Sequence, residues 1–259
     1  MTAQNSHARH ARPPIAHMPR SIEPEWLDEL PADDPRAMRS RRDLRRINAL
    51  MMNRALITGE LRRAFPAQPP RTITEIGAGD GSFMLAIAQR LAPQWLAVDI
   101  TMMDRQSLVT DATRASFASL GWRAQALATD VFDGLAQPAA PIVDVIVANL
   151  FLHHFEAADL RRLLALVAPC CRVLIACEPR RSGRALLGSR LLGLIGCNDV
   201  SRHDAQVSVR AGFADQELSR LWPAGPGWTL RESAYGLFSH GFVATRDGGG
   251  ARAGSAGKT

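Results

Sequence analysis

Residues 72–91 read TITEIGAGDGSFMLAIAQRL, and this stretch decides the fold. Thr72–Ile76 is a short β-rich run, Gly77, Gly79 and Gly81 follow at alternate positions, and Ser82–Leu91 reads as a helix. A strand that turns through glycines into a helix lets a ligand approach the backbone closely at a helix N-terminus. The spacing is G-x-G-x-G, with Glu75 two residues ahead. The third glycine of a dinucleotide fingerprint would fall at position 82, which is Ser82.

Downstream the pattern alternates. Trp95–Ile100, Gln125–Thr129, Ile142–Ala148 and Arg172–Cys177 read as strands, and Asp104–Leu120 and Ala157–Leu166 as helices between them. Trp228–Tyr235 and Gly241–Thr245 close the series. Strands alternating with helices predict an α/β fold, a doubly wound and mostly parallel sheet covered on both faces. Residues 180–223 form a helical insert before the last two strands. Upstream, residues 36–68 read as a helical extension, ended by Pro66, Pro69 and Pro70, and residues 1–35 as a disordered or extended lead-in. The core domain is expected over 69–246, with a flexible Gly/Ala-rich tail at 247–259.

In a doubly wound sheet the ligand lies across the carboxyl ends of the strands. Asp99 near the end of the second predicted strand could accept both ribose hydroxyls of a nucleoside ligand. Asp130, after the third, could accept from an adenine amine with Val131 against the ring. Asn149 ends the fourth in Val-Ala-Asn-Leu-Phe-Leu-His-His. Taken singly, each reads as a helix cap or loop residue; with the glycine turn after the first strand, four at four successive strand ends is a sharper coincidence.

Through ITEIGAGDGSFMLAIA, WLAVDI, ATDVF, VDVIVANLFLHHF and CRVLIACEP the chain resembles the class I S-adenosylmethionine-dependent methyltransferases, over roughly residues 72–178 and more loosely to 246. The VANLFLHHF block is similar to the small-molecule subgroup, which includes quinone and polyketide C- and O-methyltransferases. The resemblance implies seven strands with the last reversed, and S-adenosylmethionine as cofactor. It implies that Glu75, Gly77, Ala78, Gly79 and Gly81 cradle the methionyl part, that Asp99 and Ile100 meet the ribose, Asp130 and Val131 the adenine, and Asn149 and Leu150 the transfer site. One departure is Pro169-Cys-Cys-Arg, where the family often has P-G-G before the fifth strand.

Methyl transfer from a sulfonium is an in-line displacement, so the protein supplies alignment and at most a base for the acceptor's proton. His153, His154 and His203 are the candidate catalytic bases, with His240 also considered. Glu178, Arg181, Arg202 and Arg210 are candidate substrate contacts, the arginines as partners of a phenolate or carboxylate. The apolar stretch Ala185–Cys197 could line an entrance for a lipophilic acceptor or pack on the sheet. No His/Asp/Glu cluster has ligand spacing, so no metal is expected. O-methylation of a small hydroxylated metabolite, aromatic or polyketide-like, is the favoured expectation, with C-methylation in quinone-type biosynthesis as the alternative.

The chain has 259 residues, 46% hydrophobic and 22% charged, and a formal charge of +6. Thirty of its thirty-one basic residues are Arg, and nine of them fall in residues 36–63. That excess invites a nucleic-acid reading. Against it, the block after the fourth strand is Asn149-Leu-Phe-Leu rather than N/D-P-P-Y, and the chain has one Tyr. A small-molecule partner and no nucleic acid are therefore expected. Four cysteines without a C-x-x-C pair, no apolar run of spanning length and no secretory leader predict a cytoplasmic protein without an integral membrane segment. Oligomeric state is left open.

Overall fold

In a computed structural model, residues 18–31, 33–137 and 142–248 are described. The strands are β1 (Thr72–Ile76), β2 (Asp99–Asp104), β3 (Arg123–Ala128), β4 (Val143–Asn149), β5 (Cys171–Pro179), β6 (Trp228–Tyr235) and β7 (Ser239–Arg246). The helices are α1 (Trp26–Glu29), α2 (Pro35–Leu50), α3 (Asn53–Ala64), α4 (Ser82–Leu91), α5 (Asp111–Ser119), α6 (Val131–Leu135), α7 (Ala157–Cys170), α8 (Gly183–Arg190), α9 (Asp199–Ala211) and α10 (Glu217–Leu221). Strand order is β3-β2-β1-β4-β5-β7-β6. β1 to β5 run parallel, and β7 lies antiparallel between β5 and β6. This is the doubly wound sheet that the alternating pattern predicts, with the seven strands and reversed last strand that the resemblance implies.

The central strands are apolar on both sides because helices cover both faces. One buried cluster joins Ile57, Leu61, Met84, Ile87 and Phe117 to one face of the sheet. The other joins Leu160, Leu163, Leu164, Val167 and Phe213 to the opposite face. At about 1.5–3 kcal/mol for each large apolar side chain buried, these two layers hold the fold. All four cysteines are free thiols, three of them buried. Among the described residues no helix is long and apolar enough to cross a membrane.

One strand departs from the sequence reading. The predicted Trp95–Ile100 is in the structure Asp99–Asp104. Trp95 is instead a buried plug whose carbonyl accepts from the Trp122 indole at 2.9 Å. Ala97 takes a positive φ of 58° and redirects the chain, and Asp99 opens β2 opposite Thr72. The predicted helix Asp104–Leu120 shortens accordingly to α5, and β2 carries its acid Asp104 to the other end of the sheet.

Residues 18–31, expected to be disordered or extended, lie against the domain. Arg20 donates to the carbonyls of Ala211, His153 and Phe155, and its guanidinium sits 4.7 Å from the Phe213 ring centroid. Asp204 of α9 accepts from the backbone N–H groups of Trp26 and Leu27, at 2.9 and 3.0 Å. Residues 1–17 and the tail from 249 onward lie outside the described residues.

Candidate active site

The carboxyl ends of β1, β2 and β4 and the turn after β3 open on one cavity of about 550 Å³, within the usual size of small-molecule pockets. Gly77, Ala78 and Gly79 form its floor. Gly77 has a φ of 68°, and a Cβ there would lie 2.2 Å from the Phe151 ring, so only glycine fits. A Cβ on Gly79 would meet nothing within 4 Å. Gly81 does not line the cavity. Its φ of 74° starts α4, and a Cβ would run into Met102 Sδ at 2.5 Å.

Glu75 lies 2% exposed at the cavity wall, and its Oε2 has no hydrogen-bond partner among the described residues. Burial, then the charges of Asp80 and Asp104, push its carboxyl well above the usual range. A buried carboxylate oxygen without a partner is costly unless a ligand completes it. The ammonium group of an amino-acid moiety has the charge and donors that this oxygen lacks.

Asp104, not Asp99, is the acid at the end of β2. Its Oδ2 accepts from the Gly79 N–H at 2.9 Å and its Oδ1 from the Gln106 N–H at 2.9 Å. Each oxygen keeps a second lone pair for a ligand hydroxyl, and Asp104 lines the cavity. Asp99 sits at the opposite end of the strand in an exposed pair with Arg123, 2.5 Å from its Nε, and Ile100 is buried inside the sheet. Asp99 and Ile100, expected to meet the ribose, thus lie away from the cavity. The strand starts four residues later than the apolar run Trp95–Val98 suggests.

Asp130 caps α6, its Oδ1 accepting from Phe132 N–H at 2.8 Å, and lines the cavity beside Val131. Asn149 lines it as part of an amide cluster. Its Nδ2 donates to Asn48 Oδ1 and its Oδ1 accepts from Asn53 Nδ2, both at 3.0 Å. These bonds tie α2 and the start of α3 over the glycine turn. Arg45 of α2 stands 3.7 Å from Asp80, and Arg41 and Asn48 also line the cavity. Part of the Arg-rich helix thus serves as a wall of the site. Leu150 follows with a positive φ of 53°, a conformation rare for a residue with a side chain.

The histidine pair lies at the end of the cavity nearest residues 22–28. His153 Nδ1 is 2.7 Å from Glu178 Oε2 and its Nε2 is 3.3 Å from Glu25 Oε1. Burial pulls its pKa down. The hydrogen bonds to Glu178 and Glu25, with their charges, outweigh that and raise it to about 9. His153 is therefore a buried cation held between two carboxylates. Glu25 is itself held down at about 2, its desolvation outweighed by the hydrogen bond and charge of His153 and by the Ser208 hydroxyl, which donates to it. His154, beside it, is shifted the other way by burial and then by the positive His153. It lines the cavity as a neutral imidazole, its Nδ1 3.6 Å from Asp28 Oδ2.

Glu25, His153 and His154 also bring three metal-ligating atoms within 4.8 Å of one another, a grouping that spacing in sequence does not reveal. Both ring nitrogens of His153 already face carboxylates, and an imidazolium has no lone pair to offer a metal. The ion-pair arrangement is the one this geometry favours.

The other predicted site residues fall elsewhere. His203 stacks on Trp26, ring centroids 3.8 Å apart, with its Nδ1 3.0 Å from Asp204, and does not line the cavity. His240 pairs with Glu232 at 2.8 Å inside the β6–β7 hairpin. Glu178 is fully buried and also accepts from the N–H groups of Phe151, Leu152 and His153. It anchors the turn that carries the histidines and does not reach the cavity. Arg181 is buried in a two-pronged pair with Glu217 and donates to the carbonyls of Gly212 and Met18. Arg202 is exposed on α9, and Arg210 contributes its carbonyl to Ser21. None of these four, expected to touch the substrate, lines the cavity. Glu178 and Arg181 satisfy buried partners, and the two α9 arginines do not line the cavity.

Sequence reasoning missed Glu25, Asp28, Asn48 and Asp104. Asp104 was within reach, because Ile100-Thr-Met-Met-Asp104 continues the apolar run to a second acid. Glu25, in a Pro-flanked lead-in 128 residues from His153, carries no local signal.

Residues 73–173 match the family described as "Methyltransferase domain". No curated protein matches the chain by sequence. An O-methyltransferase family protein from Burkholderia thailandensis superposes with a TM-score of 0.54 at 18% identity, covering 83% of this chain and 61% of that one. The mitomycin 7-O-methyltransferase superposes with a TM-score of 0.55 at 17% identity, covering 85% of this chain and 60% of that one. This chain spans a little under two thirds of the length of either. At such identities the likeness is one of fold.

Proposed function

We propose that this chain, whose residues 73–173 match a methyltransferase domain and whose fold is shared with O-methyltransferases, is a class I S-adenosylmethionine-dependent methyltransferase that methylates a hydroxyl group of a small acceptor. The observation that carries this reading is the convergence of Glu75, Asp104, Asp130 and a neutral His154 on one cavity.

Glu75 Oε2 would take the ammonium of the methionyl part, Asp104 the ribose hydroxyls, and Asp130 with Val131 the adenine. S-adenosylmethionine, when bound, supplies a methyl group already activated for displacement. The chain's own work is alignment and proton removal. α2 closes over the glycine turn through Asn48 and Arg45 and limits access of water. The rings of Phe151, Phe155 and Phe83 line the same cavity and offer faces for an aromatic acceptor. His154, neutral at pH 7, accepts the acceptor's hydroxyl proton at a ring nitrogen as the oxygen turns nucleophilic. His153 does not exchange protons at that pH. It holds Glu25 and Glu178 in place and keeps its neighbour neutral. An oxygen acceptor accords with the name of the mitomycin enzyme and with the presence of a base, which a hydroxyl needs and a sulfide does not.

The test is methyl transfer from labelled S-adenosylmethionine into a cell extract, split into organic-soluble, nucleic-acid and protein fractions. Label in the organic fraction, on an oxygen by mass spectrometry, is the expected result. Label in RNA or DNA overturns the substrate class.

A further inference from the structure

Beside the first cavity lies a second, of about 290 Å³, between α2, α8, α9 and the turn at Leu191–Ile195. Its wall is almost wholly aliphatic: Leu44, Ile47, Met51, Leu192 and Ile195, with Phe238 at one side. The few polar groups in that wall are already engaged. The Ser40 and Ser201 hydroxyls bond each other at 2.9 Å, and Ser201 reaches Asp43. Ser189 donates to the Leu186 carbonyl. Asp204 accepts from Trp26 and Leu27, and Ser208 donates to Glu25. A water molecule there would find few partners, and every hydroxyl donor of the wall is already used within the protein.

The two cavities adjoin. Glu25, Leu27, Leu44, Leu150 and Ser208 line both. Leu150, whose backbone is held in the left-handed region, forms part of the boundary. On its outer side the second cavity has an apolar lip. Leu50, Leu191 and Ile195 line it and are each about half exposed, and Leu194 next to them is 83% exposed. An apolar lip left in water on a chain of ordinary composition is what an apolar ligand's entrance requires.

We propose that this second cavity binds the aliphatic chain of the methyl acceptor. The acceptor is then an amphiphile, with a hydroxylated head at His154 and a hydrocarbon tail passing Leu150 into the cavity. This inference rests on the methyl-transfer reading for the head, while the tail site is read from the cavity alone.

The probes are 4-alkylphenols from methyl to octyl, titrated calorimetrically into the full chain with saturating S-adenosylhomocysteine. The dissociation constant should fall roughly fourfold per added methylene until the cavity is filled. Ala205→Phe, which fills the cavity, and Leu191→Asp, at the exposed lip, should each flatten that dependence while leaving affinity for S-adenosylhomocysteine unchanged. An affinity independent of chain length overturns the proposal, as does a dependence that survives both substitutions. Label transfer from S-adenosylmethionine is followed separately on the same phenols. Chain-dependent binding without transfer upholds the tail site and counts against the methyl-transfer reading. Transfer to the short phenols without chain dependence does the reverse.

Discussion

His153 and Glu178 are joined ring nitrogen to carboxylate at 2.7 Å, both almost fully buried, at the join between β5 and the turn that ends β4. Glu178 also receives three backbone N–H groups of that turn, so one side chain fixes the position of both histidines. Breaking a buried charge pair by removing one partner leaves the other uncompensated. Glu178→Ala should therefore cost about 3–5 kcal/mol in a urea unfolding experiment. A loss below about 1 kcal/mol would mean that the pair is not formed.

The same pair links stability to pH. The folded pKa of His153, about 9, lies above its ordinary value of 6.5, because the bonds to Glu178 and Glu25 outweigh burial. A raised pKa gives a stabilisation that is complete below 6.5 and is lost as pH rises toward 9. Unfolding free energy should thus fall between pH 6.5 and 9, by on the order of 2–3 kcal/mol. His153→Gln should remove that slope, and a wild-type protein with a flat profile over this window would contradict the assignment.

Glu75 is placed for ligand binding at the expense of the empty fold. Its carboxyl is raised by burial and by Asp80 and Asp104, so at neutral pH its ionised form destabilises the folded state without a ligand. Glu75→Gln should stabilise the ligand-free protein at pH 7 while weakening S-adenosylmethionine binding at least tenfold. Thermal unfolding with and without the cofactor measures both. A variant that binds as tightly as wild type removes Glu75 from the site.

His154→Ala should lower turnover by roughly 10²- to 10⁴-fold, the usual contribution of a positioned base, with cofactor affinity unchanged. His203→Ala should leave turnover within a few-fold of wild type, because His203 stacks on Trp26 outside the cavity. Equal losses in the two variants would mean that the proton leaves by another route.

The sheet was legible because its strands are continuous apolar runs and its helices carry their own period. The glycine turn was legible because Gly77 and Gly81 stand where a Cβ would meet Phe151 or Met102. The ends of β2 were not. An apolar run broken by Asp99 and resumed to Asp104 has two acids on one strand, and the apolar pattern does not say at which of them the strand ends. The wall formed by residues 20–28 was illegible for a different reason. Its anchors, Arg20 to His153 and Asp204 to Trp26, join residues more than one hundred positions apart. The polar residues of the insert and of the end of β5 read as a substrate patch. Arg181 and Asp204 instead satisfy buried partners, a distinction that depends on what packs beside them.

The most direct measurement is a calorimetric titration of S-adenosylmethionine into the wild-type chain, Asp104→Ala and Asp99→Ala. One site is expected, weakened by about 1–3 kcal/mol in Asp104→Ala through the loss of charge-assisted hydrogen bonds, and unchanged in Asp99→Ala. Absence of binding to the wild type, or a loss confined to Asp99→Ala, would contradict that expectation.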